Sequence, residues 1–416
     1  MIKGRDKHMA QKTNKKKNRT GKANRTPRWL TAIQRAATLS RILQLGVFTI
    51  LMVGLIVVMV LLNLPSSDAT PTSASLKVFV PARVTAVLKD SASPDVWTEG
   101  RRLGSQELEI ELLGGEFKGD ILRVENYLTA YYNVDAKEGS RIIVRLDMDE
   151  NGEPHVVAIP NYDRGIVMGG LLLIFGALLI VFGGKKGLMA LLGLVFTMVC
   201  LFFLLIPLIL RGFPAILSAV IFVATATSAS LLLLTGFSRK TVCATLGCVG
   251  GVTAAGVLAA VVGTITPLNG FNMSEAEEMI LRATHSNMKI SGLLVCGVLI
   301  ATLGAVMDVA MSIASSCQEL YDLNPSLTPR QLFNSGMNIG RDAMGTMANT
   351  LILAFAGSSL NMLILFRAYD YPILQIVNSD LIAIEVLQGI AGSIGIILTV
   401  PLVAAISARI IPHSSV

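Results

Sequence analysis

The sequence predicts a polytopic α-helical membrane protein of about eight transmembrane helices, with a small β-rich extracytoplasmic domain between helices 1 and 2. Three observations predict it. Of 416 residues, 52% are hydrophobic and only 15% are charged, against about 25% charged in soluble domains. The apolar residues gather into runs near the ~20 residues that a helix needs to cross the hydrocarbon core. The charges are partitioned along the chain. Residues 1–41 carry 13 Lys/Arg against Asp6 alone, residues 65–163 carry 17 Asp/Glu against 10 Lys/Arg, and residues 164–416 are nearly neutral. An ordinary soluble enzyme is excluded by this composition, and the pI of about 9.2 reports one tail rather than a basic domain.

The tail, residues 1–42, contains KTNKKKNRTGKANRTPR. Next to an apolar run, such a segment reads as a disordered cytoplasmic anchor that meets anionic lipid head groups, and no nucleic acid is expected. Residues 43–64 form the first span. No small-residue cleavage site closes the run, so it reads as an uncleaved anchor with its N-terminus inside.

Residues 65–163 open with the linker PSSDATPTSAS and then change period. LKVFVPARVTAVL, ELEIELL and RIIVRLDM are short alternating stretches, with turn residues at Gly114-Gly115 and Asp149–Gly152. This pattern predicts a small barrel or sandwich of five or six strands outside the cell. Its acidity reads as a solvated face, since no calcium-loop spacing is present.

A seven-helix membrane domain, residues 164–410, follows. Its spans are read at about 165–182, 187–210, 213–235, 241–265, 290–314, 343–366 and 381–406, with a cytoplasmic helical connection at 315–342 and a cytoplasmic tail at 411–416. Inner loops then hold Lys185, Lys186, Arg239, Lys240, Arg330, Arg341 and Arg409 and outer loops Arg211 and Arg282, which agrees with the positive-inside rule at most turns. Pro207 and Pro214 leave a broken or re-entrant hairpin as the alternative to two full spans in 187–235.

The chemistry-bearing residues are few. The five cysteines form no CxxC pair and no disulfide framework is expected. No phosphate-binding GxxxxGK[ST] and no HExxH occurs, and no histidine falls inside a span. No enzyme activity, cofactor or metal is expected. Ionisable groups inside spans are costly and are functional candidates by default. Gly297, Ala301, Gly304 and Asp308 share one helix face, a close-packing seam that ends in a carboxyl. Thr328-Pro329 predicts a helix start. Beyond it Asn338, Asp342, Gly345 and Asn349 share a face, with Arg341 beside it, near the depth of Asp308. An Asp308–Arg341 pair follows from that depth. In the last span Glu385, Gly389 and Gly392 follow helical spacing, with Glu385 near the outer end. Small-residue stripes of this kind are also ordinary packing between membrane helices.

The strings GAVMDVAMSIASS (304–316), GRDAMGTMANTLILAFAG (340–357) and LQGIAGSIGIILTVP (387–401) resemble the YibE/F-like family of bacterial multi-pass membrane proteins. The resemblance extends over residues 45–410 and implies a plasma-membrane protein, without supplying a substrate. Residues 291–366 resemble, more distantly, the membrane core of RND-type transporters and protein-export subunits, with Asp308 at the position of the intramembrane acid and Arg341 at that of the arginine in the small, polar entry of the following helix. Two functions are therefore expected as alternatives. One is a proton- or cation-coupled transporter or export-associated permease using Asp308, Arg341, Asp342 and Glu385, with Asn338 and Asn349 on the polar face. The other is a non-transporting scaffold or envelope sensor that acts through the β domain. A homo-oligomer or a related membrane subunit is the expected protein partner.

Overall fold

The computed structural model describes residues 52–64, 77–130, 132–148, 154–273, 279–280 and 289–412. The basic tail with its lipid contact, residues 43–51 of the first span, the 65–76 linker, the turn at 149–153 and residues 413–416 lie outside the described residues. The chain divides into two units, Met1–Leu61 and Leu62–Val416. In the first, helix α1 (Met52–Leu62) is the described part of the predicted first span.

The second unit begins with six strands: β1 (Lys77–Asp90), β2 (Ser93–Pro94), β3 (Arg102–Leu112), β4 (Ile121–Leu128), β5 (Arg141–Met148) and β6 (Pro154–Tyr162). They make one sheet of order β2-β3-β1-β5-β6, with β4 also paired to β3, and every pairing is antiparallel. Two register shifts in β1 help the sheet to curl until β4 approaches β6. Strand periodicity builds the core. Val80, Ala82 and Val84, then Leu108, Ile110 and Leu112, then Ile142, Val144 and Leu146 all point inward. Glu107, Glu109 and Glu111 alternate with that inward set, and the acidic residues fall on the other face.

One end of this sheet closes with polar groups. Gln106 and Asn126 are buried, and Gln106 Nε2 donates to Asp135 Oδ1 (3.1 Å) and Asp90 Oδ2 (3.2 Å). Asn126 Nδ2 donates to Val134 O (2.8 Å) and Gln106 Oε1 (3.2 Å). Arg102 bridges Asp90 (2.6 Å) and Asp135 (2.9 Å). The guanidinium beside it, then the Ala92 amide, hold the Asp90 carboxyl below its ordinary value of 3.8. A carboxyl depressed on folding stabilises the fold above its unfolded pKa, and that contribution is lost as pH falls through the folded value. Melting of the β domain in the full-length protein is thus expected to become pH-sensitive below about pH 4, and Asp90→Asn should flatten that dependence. Gly104 fixes the neighbouring crossing. Its φ is +137°, and a Cβ there would lie 2.7 Å from Ala92 Cα and 2.9 Å from Ser91 O. Gly104→Val should cost about 2–3 kcal/mol, read as faster hydrogen exchange in β1–β4.

The helices follow. Helix α2 (Gly165–Cys200) continues through a π turn, Leu201–Leu205, into α3 (Ile206–Leu210). This is a 46-residue apolar element, and a straight helix of that length would reach about 70 Å, over twice the hydrocarbon thickness. The chain resolves this at Gly184, whose φ of 55° is non-helical. Gly176 then comes within 3.3 Å of Leu191, measured from an ideal Cβ, so the element folds back as a hairpin. The π turn precedes Pro207, which has no N–H for the Phe203 carbonyl; Asn63 Nδ2 supplies that hydrogen bond at 3.0 Å.

Next come α4 (Ala215–Thr235), α5 (Arg239–Ile265), a 3₁₀ turn at Gly270–Asn272, α6 (Leu293–Leu323), α7 (Pro329–Ser358), α8 (Leu360–Ala368), α9 (Ile373–Val377) and α10 (Asp380–Ile410). Ser238 caps α5. Thr328 and Gln331 form a capping box at the start of α7 with Pro329 in its first turn, as the sequence predicts. Five elements are long and apolar enough to cross a membrane, or six if the bent pair α7 and α8 is one span. The predicted eight spans are thus not all single helices of the required length. The 343–366 span in particular is broken by 54° between α7 and α8. The cause is local, because the Ser358 and Ser359 hydroxyls both donate back to Phe355 O, at 2.8 and 3.0 Å.

Helix α10 is the hub, packed on α5, α6 and α7. Small residues allow this. Gly247 and Gly251 of α5 receive Val403 and Thr399, and Ala255 meets Gly395. All five cysteines are buried and free.

Candidate functional site

The site is built on α6, α7 and α10, whose mutual contacts set both height and rotation. At one level Gly340 of α7 sits against Ile313 of α6 and Val400 of α10. One turn back along α7, Gly336 meets Cys317 and Ala404. At a second level Gly392 of α10 receives both Thr302 of α6 and Leu351 of α7. Helices α6 and α7 run antiparallel between these levels, which places Gly345 at the height of Asp308. Arg341 then lies about four residues away along the axis, or ~6 Å.

The predicted Asp308–Arg341 pair does not form. The ion pairs among the described residues do not include it, and Arg341 Nη1 instead donates to Asn338 Oδ1 on its own helix at 3.3 Å. Depth is not the obstacle. Successive residues turn ~100° about a helix axis, so Asp308, five residues before Ile313, points ~140° away from the side that α6 turns toward α7. Arg341 is likewise rotated off the Gly340 contact. Both side chains are exposed in the single chain, as are Asp342, Asn338 and Asn349.

The predicted glycine seams divide. Gly392 packs into the three-helix junction, and Gly389 stands 3.6 Å from Phe355 by its ideal Cβ. Gly297 faces Gln388 Nε2 at 3.7 Å. Gly304 and Gly345 face open space, a correction to the expected packing. The stripe Ala301, Gly304, Asp308, Ser312 and Glu319 is an open face of α6, while Thr302, Val306, Val309 and Ile313 carry its buried side. Sequence spacing identified the stripe and assigned it to the interior.

Glu385 lies apart, half-buried on α10, and accepts from Ser358 Oγ at 3.3 Å beside the α7–α8 break. The buried hydroxyls are mostly satisfied locally: Thr302 Oγ1 donates to Val298 O (2.8 Å), Thr399 Oγ1 to Gly395 O (2.7 Å) and Ser393 Oγ to Gly389 O (2.7 Å). An apolar cavity of about 480 Å³ lies between α5 and α10, lined by Leu258, Val262, Leu268, Val386 and Ile390 with Asp380 at its edge. It does not include Asp308. The contact glycines Gly336 and Gly340 escaped the sequence reading, although their four-residue spacing on one helix face was the available signal.

A family model described as YibE/F-like protein matches residues 171–413. The chain belongs to this family. The match opens inside α2 and contains all three strings that carried the resemblance, while the β domain precedes it. No curated protein and no solved structure matches. As a member of the YibE/F-like family with membrane-length apolar helices, the chain is a membrane protein.

Proposed function

We propose that this YibE/F-like protein is a proton- or cation-coupled permease of the bacterial plasma membrane, with eight spans and both termini cytoplasmic. The single observation that carries the reading is Asp308, an acid midway along an apolar 31-residue helix, exposed and in no ion pair among the described residues. A carboxylate at that depth is unfavourable unless it is protonated, hydrated or paired. A group that changes among those states as its surroundings change is a coupling element. The hairpin broken at Gly184 and the bent pair α7–α8 supply the spans that length alone does not count.

The open α6 face favours a working unit of more than one bundle. Ala301 and Gly304 let a neighbouring helix approach closely, and the exposed Asp308, Asp342 and Arg341 offer charges of both signs for pairing with a second copy about a two-fold axis. In that arrangement Arg341 of one copy serves Asp308 of the other. Ser312→Cys, one turn from Asp308 on the same face, is expected to cross-link two copies under mild oxidation in native membranes. The five native cysteines are buried and should give no background; a strictly monomeric product would remove the two-copy arrangement.

The folded β domain, with a core of its own, favours the scaffold or sensor reading as the alternative. The two readings separate in a strain that lacks the protein. Under the permease reading, Asp308→Asn fails to restore function at normal membrane level. Under the alternative Asp308→Asn restores it and removal of residues 77–162 does not.

A further inference from the structure

The two most exposed of the β domain's large apolar side chains sit side by side at one end, although Phe79 (60%) and Ile121 (61%) are also exposed elsewhere on the sheet. Val96 is 89% exposed and Trp97 is 93% exposed, both in the turn between β2 and β3. The turn is organised: Asp95 Oδ1 accepts from Trp97 N (3.1 Å), and Asp95 N donates to Arg101 O (2.9 Å). Arg101 Nη2 ties it to the loop after β4 through Ala130 O at 2.7 Å, and in that loop Tyr132 is 64% exposed. A water-facing domain gains nothing from holding tryptophan, valine and tyrosine outward on two braced loops.

The path of the chain tells which way this end points. Strand β6 runs from Pro154, opposite Met148, to Tyr162, opposite Ile142, and so heads toward the end of the sheet where β1 reaches Asp90. There Tyr162 Oη donates to Asp135 O (2.8 Å), and Asp135 binds Arg102 at the base of the Trp97 turn. Three residues after Tyr162 the chain enters α2, whose first turns are apolar and exposed, with Leu173 76% exposed. The Trp97 turn therefore projects from the same end of the domain that feeds the membrane helix.

We propose that Val96, Trp97 and Tyr132 lie in the interfacial layer of the bilayer that α2 enters, and fix the β domain upright on that surface. Tryptophan and tyrosine favour this layer because their rings are apolar and their polar edges stay hydrated. Arg101 at the turn and the exposed Arg164, whose guanidinium stands 5.9 Å above the Tyr162 ring, bring cations to the depth of the phosphates. The opposite end of the domain, around Lys77 and Asp147, is left for contacts with the envelope.

The proposal rests on α2 crossing the membrane, and the test separates the two. The chain has two tryptophans, Trp29 and Trp97, so Trp29→Phe makes Trp97 the sole indole. The full-length variant is placed in nanodiscs of phosphatidylcholine and phosphatidylglycerol, with or without bromine on the acyl chains near the head group. Trp97 emission is expected to be blue-shifted relative to free tryptophan and to lose roughly half its intensity in the brominated bilayer, as an interfacial ring should. Water-like, unquenched emission overturns the proposal. A blue shift without bromine quenching also overturns it and assigns the turn to a protein contact. The control carries Trp29→Phe, Trp97→Phe and Leu173→Trp: quenching there with none at Trp97 refutes the docking alone, and none at either position refutes the placement of α2.

Discussion

Asp308→Asn is expected to reach the membrane at the wild-type level and to leave the cell without the protein's function, whereas Asp308→Leu should make the folded helix bundle more stable while being equally inactive. The two effects have one origin. An aspartate inside a membrane helix costs up to about 3 kcal/mol on the insertion scale, that figure holding at the bilayer centre, and leucine is mildly favourable there. Asp308 makes no ion pair among the described residues. A residue kept only for folding would show the opposite pairing, with loss of stability on removal. Thermal unfolding in bilayer discs measures the first effect, and complementation of a strain lacking the protein measures the second. If Asp308→Leu both folds and functions, the acid has no part in the mechanism.

The second large effect contrasts two glycines five residues apart on α7. Gly340→Val is expected to destabilise the protein by about 3 kcal/mol or more, because the new side chain would enter space held by Val400 and Ile313. Gly345→Ala is expected to be neutral or to gain up to about 1 kcal/mol, since open space surrounds Gly345 and alanine favours the helix. Both are read from unfolding midpoints in the same detergent. Destabilisation by Gly345→Ala of the size seen for Gly340→Val would mean that the open face is filled in the working assembly, as the two-copy arrangement requires if its contact reaches that far.

Much of the fold is legible in the sequence. The alternation of Val80/Ala82/Val84 and Ile142/Val144/Leu146 announced inward strand faces, because the strand period is two and one face must be dry. Thr328-Pro329 announced the start of α7, because a hydroxyl cap and a ring with no N–H suit the first turn. The break after Ser358 was not legible. A serine that bonds back to Phe355 O looks in sequence like any polar residue in an apolar run.

At the candidate site the division is sharper. Composition and hydrophobic run length by themselves determined that the chain is a membrane protein with a separate strand-rich segment, because the cost of burying charge and exposing oil depends on residue identity alone. Spacing likewise put Asp308 and Arg341 near the same depth, to within about a turn of helix, since rise per residue is a property of any helix. Only the tertiary structure decided rotation. Which side of α6 faces α7 depends on how Gly340, Gly336 and Gly392 admit their neighbours, and those contacts are made across helices far apart in the chain. They turn Ile313 and Thr302 inward and leave Asp308 exposed among the described residues.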